Sequence, residues 1–194
     1  YKRQVRMQAP ALRTVIDRST LAVVAEAVAA GTGSVIVESC LALGDYRSVQ
    51  ERVRGPVNPS GGLVEELRAV KDADEIASLE AACAITSAAF ERLFAELRPG
   101  MTEIGVARRL EQLFGELGAP DRAFESIVAG GPNSAIPHHR CSDRPIEAGD
   151  LLVVDAGAMV DGYHADMTRT AVVGERVLDW QAEIHGIVLD AQTR

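Results

Sequence analysis

The sequence has few cysteines and no long apolar run. Its three cysteines, Cys40, Cys83 and Cys141, are widely spaced and form no Cys-x-x-Cys pair, which argues against a disulfide framework and favours a reducing compartment, the cytoplasm. We expect Cys83 to be buried on the apolar face of a helix. The most apolar stretch, residues 21–30, is interrupted by Glu26, so the sequence predicts no membrane span.

Positive charge is also scarce. Lys and Arg total 20 against 28 Asp and Glu, a net charge of −8, and no basic cluster longer than Arg108-Arg109 follows Lys2-Arg3. This balance excludes a general nucleic-acid binder and a protein that binds anionic membranes. A hydrophobic content of 47% over 194 residues is typical of a globular protein with one sizeable core or two small ones.

The two ends lack start and stop signals. Tyr1 precedes an alternating, strand-like run of residues that has no start signal. Apolar residues at helical spacing run from Ile184 toward Arg194 without a closing Gly or Pro. We therefore expect an internal piece of a longer polypeptide. The stretch densest in Gly and Pro, residues 55–62, predicts a boundary between a domain over 1–60 and a domain over 61–194.

Strand and helix patterns alternate before this boundary. Val15-Ile16 is typical of a strand end, and Asp17 or Ser19 can begin a helix that runs to Ala30. Residues 35–37 predict a short buried strand, and residues 45–53 predict a helix.

Two helices and then several strands are predicted after the boundary. The first helix, over 71–98, has an apolar face that includes Ile76 and Cys83. Thr102 caps the second helix, which Gly118 ends. The apolar runs beyond Ser126 predict strands over 127–129, 151–154 and 167–173.

Two aspartates, Asp155 and Asp166, stand inside predicted strands, where Asp is disfavoured. Between them lies Asp161-Gly162, which favours a two-residue hairpin turn. Such a turn pairs Gly157 with Asp166, makes Asp155 a diagonal cross-strand neighbour of Asp166, and leaves the space beside Gly157 empty. Two carboxylates on one face suit a pair of divalent cations. A solvated polar sheet face is an equal alternative on spacing alone.

A histidine pair, His138 and His139, follows the turn residues Gly131-Pro132-Asn133. A loop histidine can orient a substrate carbonyl or donate a hydrogen bond to an oxyanion, although more loop histidines are surface residues. His138, His139 and Cys141 are too closely spaced for a closed tetrahedral zinc site.

Three blocks of the sequence occur in a fixed order. They are residues 62–76, residues 126–138 and the double-aspartate segment 155–170. In this order they resemble the entry, the first histidine block and the double-aspartate block of the pita-bread metallopeptidases, in the branch of Xaa-Pro dipeptidase (prolidase) and aminopeptidase P. Residues 1–60 resemble the family's N-terminal domain more weakly.

The resemblance implies an α+β fold, namely the first half of a pita-bread (creatinase/aminopeptidase-like) catalytic domain, preceded by the end of a small α/β domain. It implies two divalent metal ions, with manganese the first choice and cobalt or zinc the alternatives. Asp155 would chelate one metal, Asp166 would bridge both, and His138 would contact the scissile carbonyl. Thr168 and Arg169 would support Asp166, and His164 would lie at the pocket rim or act as a supplementary ligand.

The resemblance further implies hydrolysis of the peptide bond before proline by a full-length homodimer. One more histidine and two glutamates normally complete the metal site, and these come from the second half of the catalytic domain. The chain alone is therefore expected to be inactive. A catalytically silent pita-bread binding or scaffold module is the alternative, and a creatinase-like hydrolase with a metal-free site ranks last.

Overall fold

The chain divides between Lys71 and Asp72 into two compact units. The structure, a computed structural model, describes residues 34–37, 39–174 and 176–193. The strand end at 15–16 and the helix over 17–30 that the sequence predicts lie outside these residues. The breaker-rich stretch predicts the domain boundary before the short helix at 63–69, whereas the contacts divide the chain after it.

In the first unit a helix connects two parallel strands. The elements in chain order are β1 (Val35–Val37), α1 (Leu43–Arg52), β2 (Val57–Pro59) and α2 (Leu63–Ala69). Strand β1 pairs with β2 in parallel, and Val49, Val53 and Val57 form a small buried core. The predicted strand and helix are confirmed, but Ile36 is 60% exposed because alternate side chains of a strand face opposite sides.

The second unit begins with two helices and continues with strands. Its elements are α3 (Ala73–Glu96), α4 (Glu103–Glu116), β3 (Asp121–Arg122), β4 (Ile127–Gly130), a 3₁₀ helix (Gly131–Ala135), β5 (Leu151–Ala156), β6 (Ala158–Val160), β7 (Tyr163–His164), β8 (Met167–Val172) and α5 (Asp179–Thr193).

Side-chain caps fix where the two long helices begin. Asp72 and Glu75 form a reciprocal capping box at α3, and the Thr102 hydroxyl accepts from the Gly105 N–H at α4. Both predicted helices are confirmed. The predicted apolar face of α3 is wrong at its N-terminal end, because Ile76 and Cys83 are exposed.

Two antiparallel three-stranded sheets complete the unit, with strand orders β3-β6-β7 and β4-β5-β8. The central strand β5 turns Leu152, Val154 and Ala156 into the main core, which also contains Leu110 and Leu113 of α4. Its other face carries Asp155, which is half-buried. Strand β5 therefore separates the apolar core from the face on which the polar site lies.

None of the helices among the described residues is long and apolar enough to cross a bilayer. Helix α5 nevertheless exposes several large apolar side chains: Trp180, Ile184, Ile187, Val188 and Leu189. The helical spacing correctly predicts this helix.

Candidate metal centre

A tight hairpin turn connects β6 to β7 at Asp161-Gly162. Both residues have positive φ, 50° and 83°, as a type I′ turn requires. Val160 pairs directly with Tyr163 across the turn, and Met159 pairs with His164. The predicted two-residue turn is confirmed. His164 is exposed.

The same register continues into β5 and β8 and brings the two aspartates together. Asp155 pairs with Thr168, and Ala156 pairs with Met167, so Gly157 is the residue opposite Asp166. Asp166 does not stand inside a strand, as the sequence predicts, but directly precedes β8. Ala165 is buried, whereas Asp166 and Thr168 are exposed. Thr168 pairs with Asp155, and Asp166 is two residues from Thr168, the spacing at which side chains of an extended chain share a face.

Gly157 does not leave an empty space, as the sequence argument expects. A Cβ atom at this position would lie 1.7 Å from the carbonyl oxygen of Ala165. The chain passes from the β4-β5-β8 sheet to the β3-β6-β7 sheet at Gly157. Glycine is required here because two backbones approach closely where the hairpin changes sheets.

The oxygen atoms around the two aspartates are suitable ligands for a hard divalent cation, but they are few. The Thr168 hydroxyl donates to Oδ1 of Asp155 at 2.8 Å, and Arg169 donates to the Thr168 carbonyl. Thr168 therefore supports Asp155, where the resemblance implies support for Asp166. No group of three or more His, Cys, Asp or Glu side chains among the described residues is arranged to hold a metal ion. Asp155 and Asp166 are therefore the residues that could hold a hard cation here, and two carboxylates alone do not complete its coordination.

His138 lies on an exposed loop beside this face of the sheet. Together with Ile127 and His139 it lines a shallow depression of about 200 Å³. Ile127 pairs directly with Asp155 across β4 and β5. The loop therefore presents His138 next to the strand that neighbours Asp155.

The main feature that sequence reasoning missed is Glu103, the first residue of α4. Its side chain is fully buried, and its carboxylate accepts hydrogen bonds from residues on both sides of His138. Burial raises the pKa of Glu103, but hydrogen bonds from Gly130, Ser142, Asn133 and His139 outweigh it and lower the pKa to about 2. An acidic residue in the first turn of a helix is common, so the sequence carries no signal of this role.

Gly131, which precedes the histidine pair in the chain, is packed against an ion pair. Gly131 has a φ of 52°, and a Cβ atom there would lie 2.6 Å from Oδ1 of Asp150. Arg144 donates to Oδ2 of Asp150 at 2.8 Å. Burial raises the pKa of Asp150, but the hydrogen bond from Arg144 leaves it below its ordinary value. The glycine thus allows the loop to lie directly on the Arg144–Asp150 pair.

His139 and Cys141 each have hydrogen-bond partners in the surrounding chain. Nε2 of His139 lies 2.8 Å from Glu103. The Cys141 sulfur accepts from the Val128 N–H and donates to the Ser126 carbonyl, and burial raises the pKa of its thiol.

Comparison with known proteins identifies a peptidase family and its relatives. The model of metallopeptidase family M24 matches residues 77–194. Xaa-Pro dipeptidase of Pyrococcus furiosus is 42% identical over 132 residues, which are 68% of this chain and 38% of that protein. Xaa-Pro dipeptidase of Pyrococcus horikoshii is 36% identical over 165 residues, 84% of this chain and 47% of that protein.

Solved structures resemble the chain over almost its whole length. An Xaa-Pro dipeptidase from Bacillus anthracis superposes with a TM-score of 0.86 at 38% identity and covers 99% of this chain and 55% of that chain. The chain therefore spans about half the length of the proteins it matches, or less.

Proposed function

This chain belongs to metallopeptidase family M24, and from that premise we propose that the full-length protein hydrolyses the peptide bond before proline with two divalent metal ions. The observation that supports the proposal is the hairpin register, in which Asp155 pairs with Thr168 and Gly157 stands opposite Asp166. Relatives named Xaa-Pro dipeptidase and Xaa-Pro aminopeptidase support the substrate class. In a protein that served only as a scaffold, the strand position of Asp155 would not need a carboxylate, because Asp is disfavoured in strands.

Each site residue has a role in this proposal. Asp155 would hold one cation and Asp166 would hold both, while the Thr168 hydroxyl keeps the Asp155 carboxylate in place. When bound, the cations supply Lewis acidity and a water that is nucleophilic at neutral pH. His138 donates a hydrogen bond to the carbonyl oxygen of the scissile peptide and stabilises the negative charge that develops there.

The remaining features of the proposal follow from the same chemistry. Carboxylate oxygens favour hard cations, so manganese is the proposed metal, ahead of cobalt and zinc. We place the full-length homodimer in the cytoplasm, where thiols such as those of Cys83 and Cys141 stay reduced.

The test is the cleavage of an Xaa-Pro dipeptide by the full-length protein, first stripped with a chelator and then supplied with Mn²⁺. We expect Asp166→Asn to lower kcat on the order of 100-fold or more, because a neutral amide replaces a carboxylate that holds the cations. The matched control is Asp161→Asn, which changes the same charge on the same hairpin. Asn is tolerated at the positive φ of this turn position, so its activity should match that of the wild type.

Two results would count against the proposal. Equal cleavage by the wild type and Asp166→Asn would remove the metal role of Asp166. A wild type that cleaves no Xaa-Pro peptide with Mn²⁺, Co²⁺ or Zn²⁺ would favour the alternative interpretation, a catalytically silent binding or scaffold module.

A further inference from the structure

The hydrogen-bond partners of the Glu103 carboxylate all lie in one segment, residues 130–142, which we name the histidine loop. Oε1 accepts from the Gly130 N–H and the Asn133 side chain, each at 2.9 Å. Oε2 accepts from Nε2 of His139 at 2.8 Å, from the Ser142 hydroxyl at 2.6 Å and from the Ser142 N–H at 3.0 Å.

The two oxygens therefore hold opposite ends of the histidine loop. Oε1 contacts the beginning of the loop and Oε2 contacts its end, while His138 lies between them. His138 itself is exposed, so no packing of its own side chain into the core fixes its position. The contacts of its neighbour His139 and of Ser142 with Glu103 restrain the backbone on the C-terminal side of His138.

Only an ionised carboxylate can satisfy this set of donors. All five groups donate, and a carboxylate accepts at both oxygens, whereas the amide of Gln has one oxygen and would direct an N–H₂ group at other donors. Glu103 also lies in the first turn of α4, where the helix dipole favours a negative charge. The side chain is completely buried, so water cannot replace the lost hydrogen bonds.

We propose that Glu103 is a positioning residue that clamps both ends of the histidine loop and thereby fixes His138 beside Asp155. This inference rests on the proposed function of His138 and adds a requirement to it. The hydrogen bonds of the Glu103 carboxylate reach the histidine loop and neither aspartate, so its effect on the reaction passes through the loop.

The first test compares Glu103→Gln with Glu116→Gln in the full-length protein loaded with Mn²⁺. Glu116 is an exposed residue of the same helix that pairs with Arg109. We expect Glu103→Gln to lower kcat by about 10- to 100-fold, since a small misplacement of a catalytic group costs this much, while KM changes little. Hydrogen exchange of residues 131–142 should become faster, while that of α3 stays unchanged. Glu116→Gln should alter neither property.

A double-variant cycle shows whether Glu103 acts through His138. In a His138→Ala background, Glu103→Gln should lower kcat by less than about threefold, because coupled residues are not additive. The same fold-loss in both backgrounds, or unchanged exchange in the loop of Glu103→Gln, would overturn the inference.

Ser142→Ala provides a milder variant if Glu103→Gln does not fold. It removes a single donor to Oε2, and it should lower kcat in the same direction with faster exchange in the histidine loop. Unchanged kcat and exchange in Ser142→Ala would then overturn the clamp. If the wild type cleaves no Xaa-Pro peptide, the proposed function fails, and hydrogen exchange alone decides whether Glu103 holds the loop.

Discussion

At the scale of single residues, the carboxyl of Glu103 makes the stability of the fold depend on pH. Its pKa is about 2 in the folded chain against an ordinary 4.5, so between these values the unfolded chain binds more protons. Its contribution is therefore complete above about pH 4.5 and is lost as the pH falls toward 2. A pKa difference of this size between the folded and the unfolded chain corresponds to roughly 3 kcal/mol in the free energy of unfolding.

We expect the stability advantage of the wild type over Glu103→Gln to shrink as the pH is lowered from 5 to 2. Urea unfolding of the full-length protein at several pH values measures it, with Glu116→Gln as the control. An advantage that stays constant over this range would show that Glu103 is not held ionised by the histidine loop.

The contacts of Glu103 and Gly157 could not be predicted from the sequence. The sequence places Asp155, Asp161 and Gly162 correctly, because turn chemistry and strand period are local properties. The partners of Glu103 lie up to 39 residues away, and the Ala165 carbonyl beside Gly157 is brought there by the change of sheet. No local pattern encodes either contact.

At the scale of secondary-structure elements, one buried threonine joins helix α3 to the hairpin of the candidate site. The Thr86 hydroxyl donates to the Ala82 carbonyl at 2.8 Å and accepts from the Ala158 N–H at 3.0 Å. Thr86 is fully buried. Ala158 opens β6 directly after Gly157, so this hydrogen bond fixes the hairpin against the helix.

We expect Thr86→Val to lower the free energy of unfolding by about 1–3 kcal/mol, because the isosteric change leaves the buried Ala158 N–H without an acceptor. Ser78→Ala is the matched control. Ser78 makes the same bond to the carbonyl four residues earlier, but it is not fully buried and bonds no strand. Thermal unfolding measures both, and equal losses would show that the bond to Ala158 contributes nothing.

The elements themselves were largely predictable, whereas the face that the N-terminal part of α3 buries was not. Helix α3 follows from its apolar spacing, α4 from its Thr102 cap and its spacing, and β5 and β8 from their apolar runs. The buried positions of α3 are mostly small, Ala82, Thr86 and Ala89, because the helix packs closely on β6 and β7. Large residues such as Ile76 mark the apolar face in sequence but lie at an exposed end.

At the scale of the whole molecule, the predicted α+β fold is confirmed as part of a pita-bread fold, since structures of an Xaa-Pro dipeptidase and of a prolidase match 95–99% of the chain. In these matches the chain covers only 54–55% of the longer proteins. The local motifs predict the family because they lie within the matched portion. These motifs contain His138, Asp155 and Asp166, but not the further histidine and two glutamates that the resemblance implies.

This limit leads to a prediction for the 194-residue chain by itself. Two carboxylates bring a charge of −2 to a site for two divalent cations, and no group of three or more His, Cys, Asp or Glu side chains among the described residues could hold a metal ion. We expect the chain alone to bind Mn²⁺ more than about 100-fold more weakly than the full-length protein, because losing even one supporting group costs 10- to 100-fold. Calorimetric titration of both proteins with Mn²⁺ measures this difference, and the dipeptide assay should detect turnover only in the full-length protein. Comparable Mn²⁺ affinity in the two proteins would mean that the residues from His138 to Asp166 already form a complete site.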